Sequence, residues 1–186
     1  MKLLDICKIG GKSVNKFDGE KKYIATGDVI NNEIVSYKLV SYIGKPSRAN
    51  ITISNNDVLF AKMQNTIKVI NASDSNIENI YSTGFYVLTP NNNITQMYLY
   101  HYLKSNVFNS QKDKNCSGAT QKAINNEGLS KIMIGEIPNI EKQNTIVEKL
   151  NKLESLINFK QREIDKLGEL IKSQFVNHLT CGGVLC

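Results

Sequence analysis

Ile146-Val-Glu-Lys-Leu150-Asn-Lys-Leu153-Glu-Ser-Leu-Ile157-Asn-Phe-Lys160-Gln-Arg-Glu-Ile164-Asp-Lys-Leu167-Gly-Glu-Leu-Ile171 carries apolar side chains at alternating steps of four and three. Of the eight heptad positions from Ile146 to Ile171, only Lys160 departs from the pattern. Such spacing holds one apolar stripe on one side of a helix, and a stripe sustained this far reads as a coiled-coil seam. A helix from Glu141 to about Asn177 would be ~55 Å long at ~1.5 Å per residue, too long for a small domain at one end to cover its stripe. The stripe needs a second helix. Ile146, Leu150, Leu153, Ile157, Ile164, Leu167 and Ile171 are therefore the expected dimerisation residues. Gly168 is a soft spot in that helix, costing up to ~1 kcal/mol relative to Ala.

Upstream the pattern changes period. Short β-rich runs, Lys22–Thr26, Val58–Lys62, Ile67–Ile70, Phe85–Thr89 and Ile132–Ile134, are each bounded by Gly, Asn, Asp or Pro, as strands between turns are. Thr95 can cap a helix running through Met97, Tyr98, Tyr102, Leu103 and Phe108, whose apolar spacing reads as core. Residues 109–122 hold almost nothing to bury and are expected to form a polar, partly basic exposed segment. The expected class is α+β: a mixed, β-rich domain with a few helices over 1–138, a long coiled-coil-forming helix over 139–178, and a flexible tail over 179–186 that lacks periodicity.

The 186 residues carry 41% hydrophobic and 22% charged side chains, ordinary for a globular chain and against wholesale disorder. No apolar run approaches the ~18 residues of a membrane span, and Met1-Lys2-Leu3-Leu4-Asp5 is too soon interrupted by charge for a secretory signal. A cytoplasmic location is expected, with Cys7, Cys116, Cys181 and Cys186 as free thiols. No Cys-x-x-Cys pair occurs and only His101 and His178 could complete a metal set, so no metal site is expected. The net charge of +6 sits mostly in the front domain, with 16 basic against 11 acidic side chains up to Pro138 and 7 against 6 after it. That balance suits an anionic partner such as nucleic acid.

Tools for catalysis on DNA are missing. Gly10-Gly11 lacks the third glycine of a nucleotide-binding turn, no phosphate loop is present, and no Asn-Pro-Pro or Asp-Pro-Pro segment of an adenine methyltransferase occurs. Asp57 followed by Lys62 has the residue types of a metal-dependent nuclease, yet the second acid is absent and Asp57 reads better as a turn entering a buried strand. The chain is expected to be non-catalytic, with no cofactor of its own.

The succession of segments resembles the specificity subunit of type I restriction-modification systems. Leu4-Asp5-Ile6 with Gly10-Gly11 is similar to that family's domain opening, Tyr23–Val29 to its first reader strand and turn, and Asn56–Lys62 to its Gly-Asp-Val-Leu strand. Ser82–Pro90 and Tyr98–Ser105 follow in order. Gly118-Ala119-Thr120-Gln121 resembles the family's Gly-x-Thr-Gln loop, and Ile137-Pro138 with Gln143, Ile146 and Leu150 the start of its spacer helix. The resemblance spans nearly the whole chain. It implies double-stranded DNA as partner, methyltransferase subunits that bind S-adenosylmethionine and flip out an adenine, and a translocating restriction subunit in the larger assembly. Full-length members carry two recognition domains and two spacer helices; this sequence has one of each, as expected of a half subunit, a natural half-length form, a fragment or a shuffled gene product. The resemblance also implies antiparallel pairing of spacer helices, so that a homodimer reads two inverted half-sites with helix length as the ruler. Lys160 then falls near the centre of the pair, unless that centre is shifted or Lys160 reaches an acid such as Glu163.

For DNA contact the expected residues are the polar and basic ones outside the strand cores: Lys21 and Lys22; Lys45, Arg48 and Asn50; Lys62, Gln64 and Asn65; and Lys112, Lys114, Thr120, Gln121 and Lys122. Lysines hold phosphates, whereas Arg48, Gln64, Asn65 and Gln121 can read base edges. Gln121 could instead brace its own loop. Two other readings stand beside this one: a protein–protein adaptor with a dimerising helix, and a target-recognition piece of a fused restriction-methyltransferase.

Overall fold

The structure is a computed structural model that describes residues 1–181. Strands β1 (Cys7–Ile9), β2 (Lys21–Ile24), β3 (Val29–Ile30), β4 (Glu33–Ile34), β5 (Lys38–Val40) and β6 (Ala49–Ile51) open the chain. They are followed by β7 (Val58–Ala61), β8 (Val69–Asn71), β9 (Ile80–Ser82) and β10 (Phe85–Pro90). Helices α1 (Gln96–Lys104) and α2 (Asn106–Lys114), the ribbon of β11 (Cys116–Ser117) and β12 (Ala123–Ile124), α3 (Asn126–Leu129) and the long α4 (Ile140–Cys181) complete it. The fold is α+β, as the periodicities predict. By compactness the chain divides into two units, Met1–Asn144 and the residues from Thr145 onward.

The first unit is built on two four-stranded sheets, ordered β1-β10-β7-β8 and β5-β2-β9-β6. The first is antiparallel throughout; in the second, β2 and β9 run parallel, with Tyr23 opposite Ile80. Every residue of β7 is buried, and the period of two explains why. Val58 and Phe60 point into a core with Leu88, Leu99, Leu103 and Phe108, while Leu59 and Ala61 point the other way to Ile24, Tyr81 and Val87 of the interface between the sheets. The first sheet is thus covered by helices on one face and by the second sheet on the other. Phe60 joins these layers, its ring stacked with Tyr86 and edge-on to Phe108 of α2 at 5.0 Å. A third, smaller cluster of Val14, Tyr23, Val40, Ala49 and Ile80 covers the outer face of the second sheet.

Several local expectations are corrected. The helix begun at Thr95 does not run unbroken to Phe108: Ser105 is extended, and its Oγ accepts from Phe108 N at 3.2 Å, capping a new helix, α2. Residues 109–122 are therefore not an exposed loop throughout, because α2 carries Asn109 and Lys112 into the interior beside Phe108. Ile132–Ile134 forms no strand, only an isolated bridge between Lys2 and Met133. In the run Ile67–Ile70 the strand starts only at Val69, leaving Ile67 exposed.

The helix α4 starts at Ile140 and is pinned at once by Gln143, whose side chain is fully buried. Its Oε1 accepts from Thr95 N at 2.8 Å and its Nε2 donates to Asn93 O at 2.8 Å and Pro138 O at 2.9 Å. The second unit, taken by itself, is helix. Leu153, Ile157, Ile164, Leu167 and Ile171 of the heptad stripe are all exposed, as are Leu156, Phe159 and Leu170 beside it. Lys160, the one break in the heptad, pairs with Glu163 at 2.8 Å. The helix runs to Cys181, so Leu179, Thr180 and Cys181 continue it and do not open the tail; residues 182–186, where the rest of the expected tail falls, lie outside the described residues.

Candidate nucleic-acid interface

At the end of β7 the chain passes through Lys62, and there four segments distant in sequence meet edge to edge. Lys62 N donates to Gly84 O at 2.9 Å, and the neighbouring Thr83 N donates to Arg48 O at 2.9 Å. On the other side Ile124 N donates to Lys62 O and Gln64 N to Lys122 O, both at 3.0 Å. The result is a continuous backbone rim, Arg48 to Thr83-Gly84 to Lys62–Gln64 to Lys122–Ile124. Arg48, Asn65, Lys114, Thr120, Gln121 and Lys122 stand exposed on or beside it, and Lys45, Asn50, Lys62 and Gln64 are half-buried.

The rim is held from behind by the end of α2. Lys112, which the sequence reading assigns to DNA contact, is buried with its side chain 1% exposed, and this corrects that assignment. Its Nζ donates to Thr66 O and lies 3.6 Å from Asp113. Burial lowers its pKa, against the opposing pull of Asp113. Asp113 in turn accepts from Asn65 N at 3.0 Å through Oδ1, while its carbonyl takes Gln64 Nε2 at 3.1 Å. Asn65, at φ 56°, occupies the left-handed region that asparagine tolerates. A lysine in a polar run gave no sign of this, although Lys112 lies four residues after Phe108 and shares its helix face once α2 exists.

Around Lys62 the setting is half-apolar. Its Nζ lies 4.4 Å from the centre of the Tyr86 ring, and the Tyr86 hydroxyl donates to Asn126 Oδ1 at 2.6 Å. Burial lowers the Lys62 pKa from the usual 10.5. Gly118 makes the adjoining loop possible: at φ +130°, any Cβ there would meet Gln121 O at 2.6 Å. Lys45 turns inward, donating to Ala49 O at 2.8 Å, and so shapes the loop that carries Arg48.

Lys21 and Lys22 are not brought to the rim. Lys21 pairs with Glu78 at 3.3 Å, ahead of β9, whereas Thr83 follows β9 at its other end. Lys22 lies 4.5 Å over the exposed Tyr37 ring, lining a separate cavity of about 450 Å³ with Asn32, Asn71 and Asn76. Conversely, Lys12 was missed. It shares a shallow cavity of about 250 Å³ with Gly11, Ser13, Asn50 and Thr83, beside Arg48 on the rim. Nothing in its sequence surroundings marked it; only the bridge between Lys12 and Thr52 brings it there.

Asp57 and Lys62 cannot act as a nuclease pair, since they flank β7 at opposite ends, roughly 16 Å apart at ~3.3 Å per residue. The Asp57 carboxylate is buried and instead takes Ser54 N at 2.8 Å and the Thr89 hydroxyl. Among the described residues no group of His, Cys, Asp and Glu could hold a metal ion, and no helix is long and apolar enough to cross a membrane.

Two packed sheets with a polar and basic rim make up a β-rich head, and the residues from Thr145 onward form a long helix with an open apolar stripe. Residues 1–169 match the family described as the type I restriction modification DNA specificity domain, and the chain belongs to that family. No curated protein sequence matches it. The fold is similar to the HsdS subunit from Thermoanaerobacter tengcongensis, with a TM-score of 0.74 at 23% identity over 92% of this chain and 46% of that one. It is equally similar, at TM-score 0.74 and 23% identity over 98% of this chain and 48% of the other, to a chain from work on complex assembly and conformational transition of the type I R-M system. The S subunit of the type I restriction-modification system from M. genitalium matches at TM-score 0.54 and 15% identity, over 83% of this chain and 38% of that one. The chain spans about half the length of the first two structures it matches.

Proposed function

We propose that this chain is a non-catalytic DNA-reading component of a type I restriction-modification system, its head reading one half-site and its helix pairing antiparallel with a second copy. The rim carries this reading: backbone hydrogen bonds assemble Arg48, Lys62, Gln64 and Lys122 from segments far apart in sequence into one edge. Guanidinium and amide groups there can address base edges, and the lysines phosphates. Lys112 is left out of this set and Lys12 is added. The exposed stripe of α4 supports the pairing, because Leu153, Ile157, Ile164, Leu167 and Ile171 stand open to water at heptad spacing. The Lys160–Glu163 pair eases the meeting of two lysines at the centre of such a rod.

Adenine methyltransferase subunits, which supply S-adenosylmethionine and the methyl transfer, are the proposed partners, with a translocating restriction subunit in the larger assembly. The proposed setting is the cytoplasm. The test is co-purification with the neighbouring methyltransferase subunit, followed by single-molecule sequencing of methylated adenines in the host with and without the gene. A split palindromic motif that disappears on deletion is the expected outcome. An asymmetric motif would mean a second, different reader, and an unchanged methylome would overturn the proposal.

A further inference from the structure

The face that the first sheet turns to the second changes character along its length. Leu59 and Val87 lie buried on it, and by the period of two Asp57 and Thr89 continue the same face. The register sets Lys8 opposite Thr89, so a lysine stands where the face runs out from under the second sheet. A cavity of about 550 Å³ opens there, with Lys8, Asp57 and Thr89 on one side and Thr52, Ile53 and Ser54 on the other. It adjoins the cavity of about 250 Å³ that Asn50 and Thr83 share at the rim, because Gly10, Gly11 and Lys12 line both. Between the two hollows the backbones of Lys12 and Thr52 exchange hydrogen bonds of 3.0 and 2.9 Å. The hollows thus follow one seam from the rim towards the Asp57 end of β7, a distance of roughly 16 Å at ~3.3 Å per residue.

Charge along the seam has one sign. From Ile6 to Phe17 the sequence holds Lys8, Lys12 and Lys16 and no acid, and the stretches Asn50–Asn56 and Thr83–Asn93 hold no acid either. Lys8 and Lys12 are exposed, and neither is paired with a carboxylate among the described residues. Asp57, the one acid on the lining, is 2% exposed and spends both oxygens internally, on Ser54 N at 2.8 Å and on the Thr89 hydroxyl. Beside the lysines the seam offers the hydroxyls of Ser13, Ser54 and Thr83. Ammonium and hydroxyl donors are the set that holds phosphate oxygens. Ile9 is the one large apolar side chain exposed on the lining, too little for the apolar centre of a protein contact.

We infer that this seam is a track for one strand of the DNA backbone, along which Lys12 and Lys8 hold phosphates beyond the half-site that the rim reads. The inference rests on the DNA-reading function proposed above. Continuity selects the occupant: the seam opens at Asn50 and Thr83, and Thr83 is bonded to Arg48 of the rim. One strand carries a charge every ~3.4 Å of duplex axis, so a track of this length passes several phosphates. The head would then need duplex outside its recognition bases, and would gain affinity from it without regard to sequence.

A randomised duplex library selected on the full chain supplies the motif. Binding is then measured against salt on duplexes that stop at the motif and on duplexes that run about one helical turn beyond it on both sides. Wild type is expected to bind the longer duplex more tightly, with a slope of log affinity on log salt steeper by about two. Lys8→Ala should take about one from that gain, and Lys8→Ala with Lys12→Ala should abolish it. Lys8→Arg should keep it. So should Lys38→Ala, which removes an exposed lysine from β5 at the other edge of the second sheet. Each variant should melt as wild type does, because the side chains removed are exposed. If lengthening the duplex brings wild type no gain, or if Lys8→Ala keeps the whole gain, the track is overturned while salt-sensitive reading of the motif stands. If Lys8→Ala keeps the gain and loses co-purification with the methyltransferase subunit, the seam belongs to an acidic protein surface and the track is likewise overturned. If wild type binds no duplex in a salt-sensitive manner, the track and the reading function fail together.

Discussion

Lys112 shows how a single residue changes meaning on folding. In a polar run it reads as a phosphate contact; in the fold its ammonium is enclosed and given to Thr66 O and Asp113. Replacement by methionine keeps the stem but strands both acceptors, and the expected loss is about 1.5–3 kcal/mol, the range for a hydrogen bond involving a charged group, read from urea unfolding. The salt dependence of DNA binding should keep its slope in this variant. Lys122→Ala, by contrast, should leave stability alone and lower that slope by about one.

Cys7 gives a pH test at the same scale. Its thiol is buried, donates to Leu3 O at 3.1 Å, and is pushed by desolvation from 9.0 up to about 12. The folded state keeps the neutral thiol while the unfolded chain ionises from pH 9.0 upward. The stabilisation is therefore full below pH 9 and is lost as pH rises towards 12. Tyr81 and Tyr102, pushed by burial from 10.0 to about 12, add to the loss from pH 10. Against pH, the stability gap between wild type and Cys7→Ala should hold steady to pH 9 and then narrow by on the order of 1 kcal/mol per pH unit. A gap that stays constant to pH 11 would contradict this.

Among the elements, the two that were easiest to read are those whose surroundings are uniform. β7 and β10 are apolar on both faces because the first sheet is sandwiched, and such strands show as continuous hydrophobic runs. β5, β6 and β9 escaped notice: each is three residues long, and the exposed Leu39 and half-buried Ile51 blur the alternation. The start of α4 depends on a polar residue. Gln143→Leu would remove three hydrogen bonds and leave Thr95 N, Asn93 O and Pro138 O to find other partners. At about 0.5–1.5 kcal/mol each, a loss of about 2–4 kcal/mol is expected, measured as a lower urea midpoint, with Gln143→Glu recovering the bond to Thr95 N alone.

For the whole molecule the proposed assembly rests on the stripe of α4. Leaving Ile157 at 64% and Ile164 at 60% exposure is costly in water, and a second helix removes that cost. Ile164→Asp should therefore turn a dimer into a monomer in analytical ultracentrifugation while the head keeps its melting temperature. In the host, the same substitution should abolish the two-part methylation motif. A monomeric wild type would remove the homodimer from the proposal without touching the reading head.

What the sequence determined by itself follows from periodicity and composition, which act locally. The heptad from Ile146 to Ile171 requires a long helix whatever the rest of the chain does, and the runs at Val58 and Phe85 require buried strands. The loop around Arg48 was legible for the same reason, whereas Gly118-Ala119-Thr120-Gln121 was marked by the family resemblance. Only the tertiary structure decided which polar residues share an edge, because that depends on hydrogen bonds between segments far apart in the chain, as from Thr83 to Arg48 and from Gln64 to Lys122. Bonds of that kind, the bridge from Lys12 to Thr52 among them, drew Lys12 towards the rim and left Lys21 at the far end of β9. They also left Lys112 behind the rim as its support, since burial is a property of the packed chain and not of the residue type.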